Sequence, residues 1–276
     1  MKLLTVVCNR DKDIMLLQAE SISLFLEPCT HYIVINEEVP DINYWRELLQ
    51  PYYSKHKLII LHYPLETYIP RWKNGEQHIG WHRQQVLKLL AYKDIQDDYL
   101  ILDSKNIFIK NTSIEDFQGQ LGCGLVWHYE KQMQEKNIET FNYYKEVFGK
   151  YPKWICGVEM PFLFEKDVLE TIENLDELVQ WYSESPVIPA EPIFYSFLIS
   201  DRLQDEPAMY RRHWVYWKIH DTFRIPVEDF KFHPYDIHVL GLHRLFLEKV
   251  SVDEKNKFNK YLTDIGFSLN LPKKAD

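Results

Sequence analysis

Short apolar segments that alternate with helical patterns constrain the fold of this chain more than any other feature. The apolar segments occupy residues 3–8, 31–36, 57–63 and 99–103. Between them, residues 12–26, 41–53 and 80–94 carry apolar side chains at helical spacing. A β-α-β-α-β-α-β order with unbroken apolar strands predicts an α/β fold, with a mostly parallel, Rossmann-type sheet covered by helices on both faces.

The second half of the chain has a less regular pattern. It predicts strands at 124–129 and 213–219, a strand followed by a helix across 161–172, and helices at 191–199 and 252–262. No internal repeat, low-complexity tract or Gly/Ser-rich linker separates the two halves. We therefore expect one domain over residues 1–276, with an α+β C-terminal half.

Net charge limits the classes of partner. The 276 residues carry a formal charge of −9, whereas nucleic-acid binders usually carry a basic excess because phosphate contacts supply their affinity. A nucleic-acid partner is therefore not expected, although a local basic pocket for one diphosphate stays compatible with this charge. Aromatic residues make up 15% of the chain, which suits either a bulky core or a groove for a sugar or nucleobase.

The cysteines and the hydropathy indicate where the protein works. Cys8, Cys29, Cys123 and Cys156 form no C-x-x-C pair and no cluster with histidine at zinc-finger spacing, so we expect a reducing compartment. No apolar run approaches the length of a membrane span. We expect a soluble cytoplasmic protein, and peripheral attachment to the inner membrane face is left open.

Each of the four predicted parallel strands ends in polar residues. Ligands of such sheets bind beyond the carboxyl ends of the strands, so these residues are expected to meet at one edge. They are Asn9-Arg10-Asp11, Asn36-Glu37-Glu38, His62-Tyr63 and Asp103-Ser104-Lys105-Asn106. Asp103 follows a buried-looking strand. Asp103 either caps a turn, or it binds a ligand. That ligand would be a ribose hydroxyl or a metal ion bound to a diphosphate.

Two adjoining motifs carry a resemblance to a known family. The helix GWHRQQVLKLLAY and the following DDYLILDSKNIFIKN resemble the nucleotide-sugar-binding half of GT-A glycosyltransferases. More narrowly, they resemble the bacterial DUF6492 glycosyltransferase-like family, which has a W-x-x-Q-Q-x-x-K-L helix and an L-D-[SA]-K-N strand end. Here these motifs are Trp81, Gln84, Gln85, Lys88 and Leu89, then Leu102, Asp103, Ser104, Lys105 and Asn106.

The resemblance covers most of residues 1–111 and implies a function. Residues 1–111 would form the nucleotide-sugar-binding half and residues 112–276 the acceptor half. The implied enzyme is a glycosyltransferase that moves a sugar to a hydroxyl of a glycan or lipid-linked acceptor, in bacterial surface polysaccharide synthesis. On the donor side the resemblance implies roles for Asn9, Arg10, Asn36, Gln84, Asp103, Lys105, Asn106 and Arg244.

The chain departs from the family's Asp-x-Asp motif, because Lys105 stands at the second position. A protonated lysine does not ligate a hard cation, but it neutralises a diphosphate directly, so the enzyme would need no metal. Alternatively, Asp103 and Asn106 hold Mg²⁺ or Mn²⁺ with further ligands from elsewhere. Both alternatives stay open at the level of sequence.

A second motif lies near the C-terminus. His238-x-x-Gly241-x-x-Arg244 resembles the H-x-x-G-x-x-K motif of retaining, glycogenin-like GT-A enzymes, in which the histidine is a metal ligand. This resemblance implies that His238 joins Asp103 if the enzyme uses a metal. Arginine in place of lysine keeps the cation and adds bidentate phosphate geometry. Alternatively, His243 and Arg244 are the active pair, and His238 is structural.

The acceptor side has fewer sequence signals. Gly157 is a small residue beside Trp154, where an acceptor would approach the donor in a GT-A enzyme. Glu191 starts a predicted helix, either as a cap or as the general base for the acceptor hydroxyl, with Tyr195 one turn later. His243 is the alternative group for the acceptor proton.

Two other function classes compete with glycosyl transfer. A nucleotidyltransferase usually has a glycine-rich basic loop after its first strand, and VVCNRDKDI at 6–14 contains no glycine. A non-catalytic module that binds a nucleotide or a sugar is suggested by Lys105. Turnover of a donor separates the enzyme from this module.

Overall fold

A five-stranded sheet forms the centre of the chain in the computed structural model. The structure describes residues 2–64, 79–113, 126–128, 138–150, 152–156, 160–183, 191–203, 215–218, 238–242 and 250–271. The strands are β1 (Lys2–Val7), β2 (Thr30–Ile35), β3 (Lys57–Leu61), β4 (Tyr99–Asp103), β5 (Asn106–Phe108), β6 (Val126–His128), β7 (Trp154–Cys156), β8 (Phe162–Phe164), β9 (Val215–Lys218) and β10 (Val239–Leu242). The central sheet has the order β3-β2-β1-β4-β8.

The helices account for most of the remaining described chain. They are α1 (Lys12–Phe25), α2 (Ile42–Leu49), α3 (Ile79–Leu90), α4 (Tyr92–Ile95), α5 (Ile138–Phe148), α6 (Lys166–Leu169), α7 (Leu175–Ser183), α8 (Glu191–Leu198) and α9 (Val252–Asp264). In the described ranges, 3-10 helices lie at Asn9–Asp11, Gln50–Tyr52 and Ser200–Leu203. Within the described ranges, no helix has both the length and the apolar character that a membrane crossing needs.

The predicted fold class is confirmed by the topology of the central sheet. Strands β1 to β4 are mutually parallel, and β8 runs antiparallel to β4 at the edge. Successive side chains of β1 point to opposite faces, as in any strand. Leu4 and Val6 pack with Leu87 of α3, whereas Val7 packs with Met15 of α1. Both faces are therefore covered by helices.

Two smaller sheets accompany the central sheet. Strands β5, β10 and β9 form a three-stranded sheet, in which β10 runs antiparallel to β5 and parallel to β9. Strands β6 and β7 form an antiparallel pair. Because β5 starts directly after β4, the small sheet joins the central sheet at Asp103.

Several elements were not predicted from the sequence. Strands β5, β7 and β10 have only three or four residues and were missed, whereas the equally short β6, β8 and β9 lie within longer apolar segments that predicted a strand. Helices α5 and α7 were also missed, although Phe141, Tyr144 and Phe148 repeat at helical spacing in α5. The helix predicted at 41–53 ends at Leu49 and continues as a 3-10 turn at Gln50–Tyr52, because Pro51 has no N–H to donate to the carbonyl four residues earlier.

Candidate functional site

The polar strand ends meet at the carboxyl edge of the parallel sheet. Register pairs Val7 with Ile35 and Val6 with Asp103, so the residues that follow β1, β2 and β4 are neighbours. Asn36 donates a backbone hydrogen bond to the Val7 carbonyl (2.8 Å), which extends this alignment one residue beyond β2. After β3, His62 Nε2 lies 3.1 Å from the Glu37 carbonyl oxygen, and residues 65–78 lie outside the described residues.

The residues expected to flank the nucleotide lie on the loops after β1 and β2. Asn9 and Arg10 are exposed in the first 3-10 helix, and the Asn9 backbone N–H donates to Glu37 Oε1 at 2.6 Å. Asn36 is half-buried, and its Nδ2 donates to the Gly80 carbonyl at 3.0 Å. Asn36 therefore ties the end of β2 to the start of α3.

Helix α3 contributes polar side chains to the same region. Gln84 is half-buried. Arg83 Nη1 lies 3.6 Å from Glu38 Oε1, and the Glu38 side chain is 77% exposed. An ion pair with so exposed a partner contributes little to stability, so Arg83 adds positive charge near the strand ends rather than rigidity.

An almost completely buried lysine lies beside Asp103. Lys88 Nζ is 3.5 Å from Asp103 Oδ1, and the two side chains are 3% and 29% exposed. Tyr99 Oη donates to the Lys88 carbonyl (2.9 Å), which fixes the last turn of α3 against β4. The last turn of a helix favours positive charge. The Asp103 carboxylate is therefore paired with a buried ammonium, while part of its surface is exposed.

A second cation–carboxylate pair lies next to the first. Lys105 Nζ is 3.8 Å from Asp11 Oδ2, with side chains 23% and 10% exposed. Ser104 Oγ donates to the same oxygen at 3.3 Å. Asp11 stands at the N-cap position of α1 but makes no side-chain capping bond. Its carboxylate instead holds the segment after β4.

Neutral hydrogen bonds fix the shape of residues 103–106, which we call the Asp103 turn. The Asp103 backbone N–H donates to Asn106 Oδ1 at 2.7 Å. Gln18 Nε2 donates to the carbonyls of Asp103 (2.5 Å) and Asn106 (3.0 Å). Gln18 and Asn106 are completely buried. A helix on one face of the sheet thus holds the turn at two points.

Asn106 requires a correction to the sequence interpretation. Its side chain is not at the surface: Oδ1 accepts from the turn, and Nδ2 donates to the Met160 carbonyl at 3.3 Å. With no exposed surface, this amide is part of the framework below the turn, and we no longer assign it a donor or metal contact. The buried position follows from the start of β5 at Asn106, because β5 packs between β10 and α1.

The bonds of Gln18 continue as a buried hydrogen-bond chain through Thr5 and His31 to Tyr53. Thr5 Oγ1 donates to Gln18 Oε1 (2.8 Å) and so accepts from His31 Nε2 (2.9 Å). His31 Nδ1 is then the acceptor for Tyr53 Oη at 2.7 Å. Burial, with a smaller contribution from His56, lowers the pKa of His31 to about 3. The imidazole is therefore neutral, with its proton on Nε2.

His238 is placed away from Asp103. Strand β10 pairs Gly241 with Asn106, and the Leu242 N–H donates to the Lys105 carbonyl at 3.0 Å. His238 precedes the opposite end of β10, about 10 Å away at 3.3 Å per residue, and its Nδ1 lies 2.9 Å from Thr112 Oγ1. A metal shared by His238 and Asp103 does not agree with this geometry. The strand direction brings residue 242, not residue 238, to the Asp103 turn.

Tyr195 also requires a correction. Its side chain is completely buried and stacks on Phe164, with ring centroids 5.0 Å apart. The hydroxyl donates to Glu165 Oε2 (2.9 Å) and accepts from the Glu165 N–H (3.1 Å). Burial, the Glu165 charge and the bond to it raise the pKa of this phenol far above its ordinary value. Tyr195 packs the core and has no surface for an acceptor.

The other predicted site residues fall partly or wholly outside the described residues. Gly157, His243 and Arg244 are among the residues not described. Trp154 lies in β7, opposite His128, and Glu191 is the first residue of α8, but their side chains are outside the description. The roles assigned to these residues stay predictions.

A divalent cation does not fit the described side chains around Asp103. Mg²⁺ and Mn²⁺ prefer several oxygen ligands that no other cation occupies. Here Asp103 is paired with Lys88, and Asp11 is paired with Lys105. Within the described part of the chain, no group of three or more His, Cys, Asp or Glu side chains is close enough to hold a metal ion.

Three residues that contact the Asp103 turn had no role assigned to them from the sequence: Lys88, Asp11 and Gln18. Lys88 carried a signal, because it is the only charged residue in the apolar run VLKLLA, and a buried ammonium needs a partner. Asp11 was named among the polar residues after β1, but no role was assigned to it. Gln18 carried no signal, since one glutamine in an amphipathic helix is ordinary.

The sequence and the fold match known proteins. Residues 10–216 match the model of a family of unknown function, DUF6492. No curated protein matches the sequence.

Three solved structures share the fold at low identity. The bifunctional glycosyltransferase WbbM aligns with a TM-score of 0.56 at 10% identity, over 96% of this chain and 49% of that one. An active-site mutant of LgtC aligns with a TM-score of 0.54 at 10% identity, over 98% of both chains. Galactosyltransferase LgtC with donor and acceptor sugar analogs aligns with a TM-score of 0.52 at 9% identity, over 98% of both chains. At such identities the matches establish a GT-A-like fold only.

Proposed function

The chain belongs to the DUF6492 family, and we propose that this member is a glycosyltransferase that moves a sugar from a nucleotide-sugar donor to a hydroxyl acceptor. One observation carries the proposal. Asp103 stands partly exposed at the carboxyl end of β4, in the crevice where such sheets bind ligands, with Lys88 beside it and Lys105 on the same turn. The likeness to solved glycosyltransferases supports it at the level of fold.

The donor half of the site would work by hydrogen bonding and charge. Asp103 accepts hydrogen bonds from the ribose hydroxyls, and Asn9, Arg10, Asn36 and Gln84 surround the nucleotide. As the sugar leaves, negative charge develops on the departing diphosphate. Lys105 is 23% exposed, so its ammonium reaches the diphosphate and stabilises this charge. Arg244 is proposed as a second cation there.

The acceptor half rests on the family resemblance. Glu191 or His243 would take the proton of the acceptor hydroxyl, and Trp154 and Gly157 would border the acceptor. We propose a surface glycan or its lipid-linked precursor as the acceptor, in bacterial polysaccharide synthesis at the cytoplasmic face of the inner membrane. The charge of −9 makes an anionic polymer such as nucleic acid a poor partner.

A thermal-shift screen with UDP, GDP, CMP and dTDP tests the donor site, each in Mn²⁺ and in EDTA. A ligand at 100 times its dissociation constant stabilises the fold by about 2.7 kcal/mol, which is a readable shift. We expect one nucleotide to stabilise the wild type and Asp103→Asn to lose that shift. Asparagine is preferred to alanine, because it leaves an oxygen beside the buried Lys88 ammonium.

Turnover then separates an enzyme from a binding module. The sugar conjugate of the nucleotide that binds is incubated with the protein, and release of the nucleoside diphosphate is measured. Release that Asp103→Asn abolishes supports glycosyl transfer or donor hydrolysis. Nucleotide binding without release would favour the non-catalytic module, and no binding by any nucleotide would end the donor-site proposal.

A further inference from the structure

Lys88 and Lys105 approach the Asp103 turn from different elements and differ in exposure. The Lys88 side chain is 3% exposed, and it approaches Asp103 from α3, beneath the carboxyl edge of the sheet. The Lys105 side chain is 23% exposed, and Lys105 is itself a residue of the Asp103 turn. Lys105 therefore faces a ligand in the crevice, whereas Lys88 meets the carboxylate and its buried surroundings.

The position of Lys88 has a consequence for diphosphate binding. A carboxylate beside a diphosphate repels it unless a cation cancels the carboxylate charge, and a divalent metal is one such cation. The Lys88 ammonium already lies 3.5 Å from Asp103 Oδ1. A metal bound to the same carboxylate would lie only a few ångström from this ammonium. In so poorly solvated a place the two cations would repel each other.

We infer that Lys88 is a built-in counter-charge that takes the place of a metal ion at Asp103, so that the site binds a nucleoside diphosphate without a divalent cation. This inference rests on the proposed function and adds a positioning residue to it. Lys88 does not touch the donor. It neutralises Asp103 and holds its Oδ1, which leaves the exposed part of the carboxylate for the ribose hydroxyls.

The arrangement assigns separate tasks to the two lysines. The Lys88 side chain is 3% exposed, so moving its ammonium away from Asp103 would disturb a buried charge, and its position stays fixed. Lys105 is 3.8 Å from Asp11, a long contact that the chain gives up at low cost when a phosphate arrives. Lys88 neutralises Asp103, whereas Lys105 moves from Asp11 to the phosphate when the ligand binds.

The wild type alone gives the first test. The affinities of UDP, GDP and dTDP are measured by titration calorimetry in EDTA and in Mn²⁺. The expected result is binding of one of them, with dissociation constants in the two conditions within about threefold. Binding that requires Mn²⁺ would overturn the inference and leave the proposed function standing. Absence of binding in both conditions would remove the proposed function, and the inference with it.

Three variants then test Lys88 itself. Lys88→Met keeps the apolar stem and removes the charge. It should weaken diphosphate binding in EDTA at least tenfold, and Mn²⁺ should restore most of that loss by occupying the released Asp103 carboxylate. Lys88→Arg keeps a cation, so in EDTA it should bind the nucleoside diphosphate more tightly than Lys88→Met does. Lys260→Met removes a lysine from an exposed pair with Asp264 and is the matched control, with wild-type affinity expected.

If Lys88 has only a structural role, the variants should show a different pattern of stability and affinity. In that case Lys88→Met would lose thermal stability, but its affinity for the nucleoside diphosphate in EDTA would match that of the wild type. Alternatively, its affinity would fall by the same factor in EDTA and in Mn²⁺. Either result would overturn the counter-charge role. If Lys88→Met does not fold, the comparison of Lys88→Arg with the wild type across EDTA and Mn²⁺ decides, because a counter-charge predicts metal-independent binding in both proteins.

Discussion

The two sides of the Asp103 turn differ in their chemistry. Behind the turn, the buried hydrogen-bond chain contains only neutral groups, and each donor in it has an acceptor. The other side carries two ion pairs, Lys88–Asp103 and Lys105–Asp11, each with one side chain more than a fifth exposed. Neutral bonds lose little on burial and fix geometry, whereas charges near solvent stay available to a ligand.

The two sides of the Asp103 turn are therefore expected to have different roles. The neutral side should determine the stability of the fold, and the charged side should determine ligand binding. Variants on the two sides should therefore separate in a plot of unfolding free energy against nucleotide affinity.

Gln18→Leu should have the largest effect on stability. Leucine removes the donor for two buried carbonyls and the acceptor for Thr5. At roughly 1–3 kcal/mol for each unsatisfied buried group, the loss should be about 4 kcal/mol. Urea unfolding measures it, with the exposed Gln50→Leu as control. A loss below about 1 kcal/mol would mean that the hydrogen-bond chain does not hold the turn.

Asp103→Ala should cost about 3 kcal/mol, because it removes the carboxylate beside a 3% exposed ammonium. Asp103→Asn should recover more than half of this loss, since its amide oxygen still accepts from Lys88. Both variants should lose nucleotide binding. Equal stability of the two variants in urea unfolding would argue against a strong Lys88–Asp103 pair.

Acid should destabilise the fold through His31. Its ordinary pKa of 6.5 applies to the unfolded chain, and burial lowers the folded value to about 3. Between these values the unfolded chain binds a proton that the folded chain does not, so stability is complete above pH 6.5 and falls as the pH drops. At about 1.4 kcal/mol per unit, the loss from roughly pH 6.5 to pH 5 should be about 2 kcal/mol.

Urea unfolding at pH 7, 6 and 5 measures this dependence. His31→Gln removes the titrating group, so its unfolding free energy should depend less on pH than that of the wild type. Absolute stability is not compared, because the variant also changes the hydrogen bonds to Thr5 and Tyr53. Identical slopes for the two proteins would show that other groups, such as His56, cause the acid sensitivity.

Lys105→Ala should have the smallest effect on stability and a large effect on ligand binding. Its pair with Asp11 is 3.8 Å long and partly exposed, so we expect a loss under about 1 kcal/mol. Nucleoside diphosphate affinity should fall at least tenfold. Lys260→Ala makes the same charge change at a remote exposed pair and should keep wild-type affinity. Unchanged affinity of Lys105→Ala would remove Lys105 from the donor site.

The sequence predicted the first half of the fold well because the signals there are local. The strand predicted at 99–103 is found unchanged, and the helix predicted at 12–26 ends one residue earlier. Unbroken apolar segments and helical periodicity are visible within one element. In the second half, β6, β8 and β9 lie inside longer apolar segments that predicted a strand, whereas β7 and β10 were missed, because three or four residues carry little alternation of their own.

The sequence alone determined that Asp103 and the polar residues after β1 and β2 would meet at one edge, because parallel strands align their carboxyl ends. Only the tertiary structure decided which side chains face the crevice. It buried Asn106 and Tyr195, placed His238 away from Asp103, and paired Lys88 with Asp103 and Lys105 with Asp11. These outcomes depend on contacts between distant parts of the chain, which the pattern within a single helix or strand does not encode.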